Sequence, residues 1–219
     1  MTEEKKKQIL SRVDHTLLKA TATWEQVDAL CREAALYKTA SVCIPPSYVK
    51  RAADSYGKEI AMCTVIGFPL GYNTTAATVF EAEEAIKNGA TEIDIVINIG
   101  DVKNGAYDLV EKELAALREA TKGLTLKVII ETCYLKMDEK IRLSQLVTKS
   151  GADFIKTSTG FGTGGATLED VALLRANIGK EVRIKASGGM KTAQDFEAFF
   201  DAGADRLGAS SAINALYGG

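Results

Sequence analysis

Two lysines stand in short β-like runs in the last third of the chain. Lys156 lies in Asp153-Phe-Ile-Lys-Thr-Ser-Thr-Gly160 and Lys185 in Val182-Arg-Ile-Lys-Ala-Ser-Gly-Gly189. Each has apolar residues on one side and small, hydroxyl-bearing or glycine residues on the other. Lysine is almost never fully buried unless it is paired or chemically at work. An ammonium among apolar neighbours, with a second cation close by, loses proton affinity and becomes a usable amine nucleophile. On adjacent strands, about 5 Å apart, two such groups repel each other, which lowers one pKa toward neutrality. The pair therefore points to attack on a carbonyl and a Schiff base. The alternative is that each lysine forms a structural ion pair with an inward acid such as Asp94 or Glu131.

Positioning them requires a regular scaffold. Strand-like runs at 13–18, 40–44, 60–66, 92–98, 126–132, 153–159, 182–187 and 205–209 alternate with helical patterns at 24–37, 75–88, 107–121, 138–150, 168–177 and 193–202. Alternation of this kind implies a parallel sheet. The junctions Asn88-Gly-Ala, Ser150-Gly-Ala and Ala202-Gly-Ala each read as a helix ended by a left-handed glycine before the next strand. Eight strands in 219 residues leave about 27 per unit, enough for a strand, a helix and two short loops. With no linker in sight, the expectation is an α/β fold, a single (β/α)8 TIM-barrel domain over 1–219; an open doubly wound sheet is the alternative. Strand parity turns Ile93, Ile95 and Ile97 out and Glu92, Asp94, Val96 and Asn98 in. The same rule puts Asp14, Cys43, Lys156 and Lys185 in one interior.

Composition narrows the chemistry further. A net charge of −2 with 46% hydrophobic residues describes an ordinary globular chain, without the basic surplus that nucleic acid demands. No apolar run approaches the roughly 18 residues of a membrane helix. Met1-Thr-Glu-Glu-Lys-Lys-Lys7 reads as a solvated helix start and lacks the apolar stretch of a secretory leader. Cys31, Cys43, Cys63 and Cys133 show no CxxC spacing, which fits a reducing cytoplasm. His15 is the only histidine, so a histidine-rich zinc site cannot be assembled within one chain. No cofactor or metal is expected.

Asp94, within Ile-Asp-Ile-Val-Ile, must be satisfied by a partner and is the leading acid–base candidate, with Asp14 second. Cys43 reads as a small barrel-lining group that can face substrate. Ser187-Gly-Gly-Met-Lys191 follows the seventh strand and Gly208-Ala-Ser-Ser211 the eighth, where barrel enzymes commonly hold a phosphate. Gly188, Gly189 and Gly208 let backbone amides approach an anion, and Ser210 and Ser211 add donors where the last helix begins. Tight turns that need glycine anyway are the competing explanation. Gly160-Phe-Gly-Thr-Gly-Gly165 matches GxGxxG, but the next strand carries no acid for a ribose hydroxyl, so a flexible phosphate-side loop is preferred to a dinucleotide site.

These residues resemble the 2-deoxyribose-5-phosphate aldolase family, metal-free Schiff-base enzymes on a (β/α)8 fold. The resemblance runs in order through Asp14-His-Thr-Leu-Leu18, Ser41-Val-Cys-Ile44, Val65-Ile-Gly-Phe-Pro-Leu-Gly71, Glu92-Ile-Asp-Ile-Val-Ile-Asn98, Lys127-Val-Ile-Ile-Glu-Thr132, Gly151 to Gly160, Ile184-Lys-Ala-Ser-Gly-Gly189 and Arg206-Leu-Gly-Ala-Ser-Ser211. It implies that Lys156 forms the imine, that Lys185 is the cation depressing its pKa, and that Asp94 relays protons with Lys185. It implies that Cys43 borders the aldehyde pocket and that Gly160, Gly188, Gly189, Gly208, Ser210 and Ser211 hold the phosphate. Asp14 and Thr157 join the substrate-binding set. Phe161 stands where some members carry a lysine near the phosphate, and Lys191 where arginine is common. Some members carry a longer tail whose tyrosine reaches the site, which leaves the reach of Tyr217 open.

The function implied is reversible cleavage of 2-deoxy-D-ribose 5-phosphate to D-glyceraldehyde 3-phosphate and acetaldehyde, in the cytoplasm, by a homo-oligomer (dimer or tetramer) without nucleic-acid or membrane partners. A phosphosugar isomerase or synthase using Lys156 only as an electrostatic clamp, and a non-catalytic phosphometabolite-binding barrel, are the rivals. The lone histidine makes the metal question testable. Prolonged EDTA treatment leaves aldolase activity intact on this reading; activity that vanishes with chelator and returns with zinc or magnesium contradicts it.

Overall fold

In the computed structural model, which describes residues 1–218, eight parallel strands close into a barrel in the order of the sequence. Gly219, the last residue of the expected domain, lies outside the described residues. The strands are β1 (Val13–Thr16), β2 (Ser41–Ile44), β3 (Met62–Ile66), β4 (Glu92–Val96), β5 (Thr125–Ile129), β6 (Phe154–Lys156), β7 (Arg183–Ser187) and β8 (Arg206–Ala209), with β8 paired back to β1. The open-sheet alternative is thereby excluded. Around them run α1 (Glu3–Leu10), α2 (Trp24–Tyr37), α3 (Val49–Tyr56), α4 (Thr75–Lys87), α5 (Ile99–Lys103), α6 (Tyr107–Ala120), α7 (Met137–Ser150), α8 (Leu168–Asn177), α9 (Ala193–Asp201) and α10 (Ala212–Tyr217). None is long and apolar enough to cross a membrane.

Local chemistry sets the boundaries. Thr2, Thr23, Thr74, Thr167 and Thr192 each accept an amide of the first turn of the helix that follows, and Thr23 with Gln26 completes a capping box. Gly89, Gly151 and Gly203, at the three repeated junctions, all take positive φ (103°, 73° and 91°). A side chain there would be strained, so glycine turns the chain from helix to strand.

The apolar core lies between sheet and helices. Ile93, Ile95 and Ile97 join it with Val42, Ile44, Ile155 and Ile184, as strand parity requires. Burying each such side chain contributes about 1.5–3 kcal/mol. The barrel interior is different. A barrel of this kind usually fills its centre with Val, Ile and Leu, but here Asp14, Glu92, Asp94, Lys127, Lys156 and Lys185 are all buried.

Several strands stop earlier than their residue types suggest. β1 ends at Thr16, so Leu17 and Leu18 begin a loop, and β6 ends at Lys156 rather than 159. Past Lys156 the backbone keeps one bond to each side, from the Thr157 amide to the Lys185 carbonyl at 3.0 Å and from the Thr132 amide to the Thr157 carbonyl at 2.8 Å, and side chains then take over. The Thr157 hydroxyl accepts from the Ser187 amide at 3.1 Å, and the Thr159 amide donates to Glu131 at 3.1 Å.

Candidate active site

Asp94 is the hub of the interior. Its Oδ1 accepts from Lys127 Nζ at 2.8 Å and from Cys63 Sγ at 3.2 Å; its Oδ2 accepts from both Lys156 Nζ and Lys185 Nζ at 2.7 Å. Strand register delivers these contacts. Asp94 pairs directly with Lys127 across β4–β5, and Lys156 with Lys185 across β6–β7. Below Asp94, Asp14 binds Lys185 and Arg206 and accepts from Ser41 Oγ at 2.8 Å, while Glu92 meets Lys127 at 2.7 Å and Arg206 at 3.1 Å.

Burial alone drives buried charges toward neutrality, and here the partners overcome it. Asp94 is held well below the usual carboxylate range, because Lys127, Lys156 and Lys185 outweigh its desolvation. Asp14 is lowered against desolvation by Lys185, Lys127 and Arg206. Desolvation lowers proton affinity at Lys127 and Lys185, yet both end up raised: Asp94 leads for Lys127, and Asp14 then Asp94 for Lys185. These two lysines are fixed ammoniums. Both are sealed from solvent, whereas Lys156 alone of the three borders a cavity.

That cavity, of about 280 Å³, opens at the C-terminal ends of the strands. Lys156 forms its floor, and the loops after β6, β7 and β8 form its walls through Gly160, Gly188, Gly189, Gly208, Ser210 and Ser211. Lys185, Asp94, Asp14, Cys43 and Thr157 do not line it. They lie in the buried layer beneath, so the expected site splits into a wall that can touch a ligand and a charged foundation. Cys43 pairs in register with Cys63 and packs with Val65 against Leu18 and Phe68. A hydrogen bond from Cys63 lowers the Cys43 thiol, and burial raises that of Cys63.

Gly208 has a packing reason of its own. A Cβ there would lie 2.9 Å from Ser187 Cβ and 3.0 Å from Lys185 Cε, so the residue must be glycine for Lys185 to cross it. Ser211 Oγ donates to the Met190 carbonyl at 3.1 Å, tying the β7 and β8 loops together. Its hydroxyl proton is thus committed, which corrects the expectation of two free serine donors. The GxGxxG run is likewise pinned rather than free. Ala166 N bonds the Ser187 and Gly188 carbonyls at 3.0 and 3.2 Å, and a Cβ on Gly165 would meet Gly188 at 2.5 Å.

Three further residues named in the sequence take definite places. Glu131 pairs with no lysine among the described residues; its carboxylate holds the Thr159 amide and hydroxyl, fixing the loop after β6. Lys191 does not line the cavity. Tyr217 packs on Tyr37, with ring centroids 5.3 Å apart, beside Lys6 and outside the cavity. Lys127, Cys63 and Arg206 entered the cluster unannounced. Lys127 stands between the outward Leu126 and Val128, so alternation turns it inward as it does Lys185, though without the glycines that follow Lys185.

Two groups of side chains have metal-ligating spacing, Cys43–Cys63–Asp94 and Asp14–Cys63–Glu92. The Lys127 ammonium already bonds members of both, at 2.7 Å from Glu92, 2.8 Å from Asp94 and 3.2 Å from Cys63. A divalent ion would have to displace it amid Lys156 and Lys185, so the donor set does not suit one. Removing that ammonium takes one bonded cation from each of three buried carboxylates at once. Lys127→Met is expected to lower unfolding free energy by about 3–5 kcal/mol in urea titration; a loss below about 1 kcal/mol contradicts this view of the interior.

Comparison with known proteins gives the same picture. A model of the DeoC/LacD family aldolases matches residues 9–217. The deoxyribose-phosphate aldolase of Clostridioides difficile (strain 630) is 59% identical over 210 residues, 96% of each chain. That of Streptococcus pyogenes serotype M4 (strain MGAS10750) is 56% identical over 207 residues, 94% of this chain and 93% of the other. Among solved structures, the tetrameric deoxyribose phosphate aldolase from Aeropyrum pernix superposes with a TM-score of 0.89 at 33% identity, over 96% of this chain and 90% of that one. The aldolase QR15 superposes with a TM-score of 0.91 at 38% identity, over 95% and 94%. Likeness of this extent, over the same barrel, establishes that the chain belongs to the DeoC/LacD family of aldolases.

Proposed function

We propose that this chain cleaves 2-deoxy-D-ribose 5-phosphate reversibly to D-glyceraldehyde 3-phosphate and acetaldehyde through a Schiff base on Lys156. The observation that carries the reading is the division of labour among three lysines on one carboxylate: two are sealed and fixed as ammoniums, and one borders the cavity. Its relatives are named for this substrate, and their full-length likeness supports the same assignment.

The open-chain sugar enters with its aldehyde toward the floor. The Lys156 amine attacks C1 to give a carbinolamine, and loss of water gives an iminium. Acetaldehyde retains two carbons, so the bond that breaks is C2–C3, β to the iminium, as a base takes the C3 hydroxyl proton. The C2–C3 electron pair becomes the enamine, which is reprotonated at C2 before water releases acetaldehyde. Covalent attachment thus divides one difficult step into easier ones.

Asp94 and Lys185 serve as the proton relay. While the Lys156 nitrogen is neutral, Asp94 Oδ2 faces one ammonium instead of two, and its basicity rises. Lys185, 2.7 Å from the same oxygen, can return the proton. The phosphate lies at the opposite end, against the glycine loops after β7 and β8. No acceptor within the described residues bonds the amides of Gly188, Gly189, Ser210 or Ser211. Those four donors suit an anion. The assembly we expect is a homo-oligomer in the cytoplasm, a dimer or tetramer; one relative is described as tetrameric.

Borohydride reduction with acetaldehyde, followed by peptide mapping, should place a two-carbon adduct on Lys156, and Lys156→Ala should lack aldolase turnover. Label on Lys185 or Lys127, or none at all, refutes the assignment. Asp94→Asn should lower kcat by roughly 10²–10⁴-fold with a smaller change in KM, as expected for lost proton transfer. Normal kcat with weaker binding would remove Asp94 from the chemistry.

A further inference from the structure

The cavity has a charge pattern that the reaction centre does not explain. Its lining contains no carboxylate and two ammonium-bearing side chains. One is Lys156 on the floor. The other is Lys19, at the mouth, from the loop that follows β1. Because β1 is the barrel neighbour of β8, that loop runs beside Gly208–Ser211. A turn closed by the Ala22 amide on the Lys19 carbonyl, at 2.9 Å, holds its backbone. Among the described residues, no carboxylate lies within 4.0 Å of the Lys19 ammonium. It is therefore not neutralised within the chain.

The other candidates for a cation here are absent from the wall. Phe161 lines the cavity but carries no charge, and its ring meets Phe68 edge-on at 5.3 Å. Lys191 lies outside the lining, and its amide is bonded to Asp195 at 2.9 Å. A phosphate dianion against the β7 and β8 loops would find backbone amides and the Ser210 hydroxyl, which supply direction but no net charge. Charge-assisted hydrogen bonds are roughly twice as strong as neutral ones.

We infer that Lys19 is the specificity-determining cation of this site. It supplies the positive charge that meets the substrate phosphate and so sets the preference for phosphorylated over unphosphorylated aldehyde sugars. The inference rests on the aldolase reading above. The reacting aldehyde binds at Lys156, on the floor, and the phosphate at Lys19, at the mouth. A single ammonium at each end thus fixes the direction in which the sugar enters.

The test is the selectivity ratio, kcat/KM for 2-deoxyribose 5-phosphate divided by kcat/KM for 2-deoxyribose, in wild type, Lys19→Met and Lys19→Arg. Loss of one charge-assisted contact is expected to reduce the ratio about 10–100-fold in Lys19→Met, while Lys19→Arg retains most of it. The ratio is internally normalised, so a partly misfolded preparation does not distort it. A Lys19→Met ratio equal to wild type overturns the assignment, as does an equal fall in both variants. Acetaldehyde trapping on the wild-type protein separates the two levels of argument. With an adduct on Lys156 and an unchanged ratio, only the role of Lys19 fails; without any adduct, the aldolase reading fails and takes this inference with it.

Discussion

Three ammonium groups converge on the carboxylate of Asp94 inside a closed barrel, and most of the molecule is arranged around that contact. Withdrawing an ion from water costs several kcal/mol even after relaxation. The interior meets that cost by making nearly every charge a member of more than one pair. Lys127, Lys156, Lys185 and Arg206 face Asp14, Glu92 and Asp94, four cations against three carboxylates. Attack on a carbonyl needs Lys156 as a free amine, and without that proton the cluster holds three cations against three carboxylates. The lysine with access to the cavity bonds Asp94 alone, and Asp94 also holds Lys127 and Lys185.

Closure of the sheet makes this arrangement possible. Strand alternation sends most isoleucines and valines out to the helices and gives many inner positions to charged groups, with Cys43, Cys63 and Val65 as a small apolar cluster among them. Each lysine then reaches Asp94 of β4 from one of the next three strands, β5, β6 and β7, with no loop involved. Loops enter only above the floor, where Glu131 fixes the turn after β6 and Ser211 links the β8 loop to Met190. A rigid base carries the proton chemistry, and the wall above it recognises the remote end of the ligand.

Much of this was legible in the residues. Period-two alternation correctly sent Asp14, Cys43, Asp94, Lys156 and Lys185 to one interior, and the repeated glycine junctions marked three helix-to-strand turns. What parity cannot reveal is depth: it placed Asp14 and Cys43 on the inner side but not below the cavity floor. Lys127 was missed because it stands between Leu126 and Val128 in a run that reads as plain strand, away from glycine. Arg206 was missed because it sits at a junction that reads as structural repeat. Strand ends were overdrawn at 17–18, 97–98, 130–132 and 157–159, where β-prone residues pass into loops; at Thr159 the backbone amide bonds the Glu131 carboxylate in place of a strand partner. Tyr217 depends on how the last helix packs, which is a tertiary matter.

The central claim is that Asp94, with its neighbours, holds two of its three lysines as ammoniums in the resting protein and leaves only Lys156 as the nucleophile. Nitrogen-15 NMR of the lysine side chains, assigned through their carbons and followed over pH, tests it directly. The account predicts that Lys127 and Lys185 remain fully protonated, with slowly exchanging Nζ hydrogens, at about pH 10.4, where an ordinary lysine is half titrated. Loss of the proton from either at or below that pH would contradict the account.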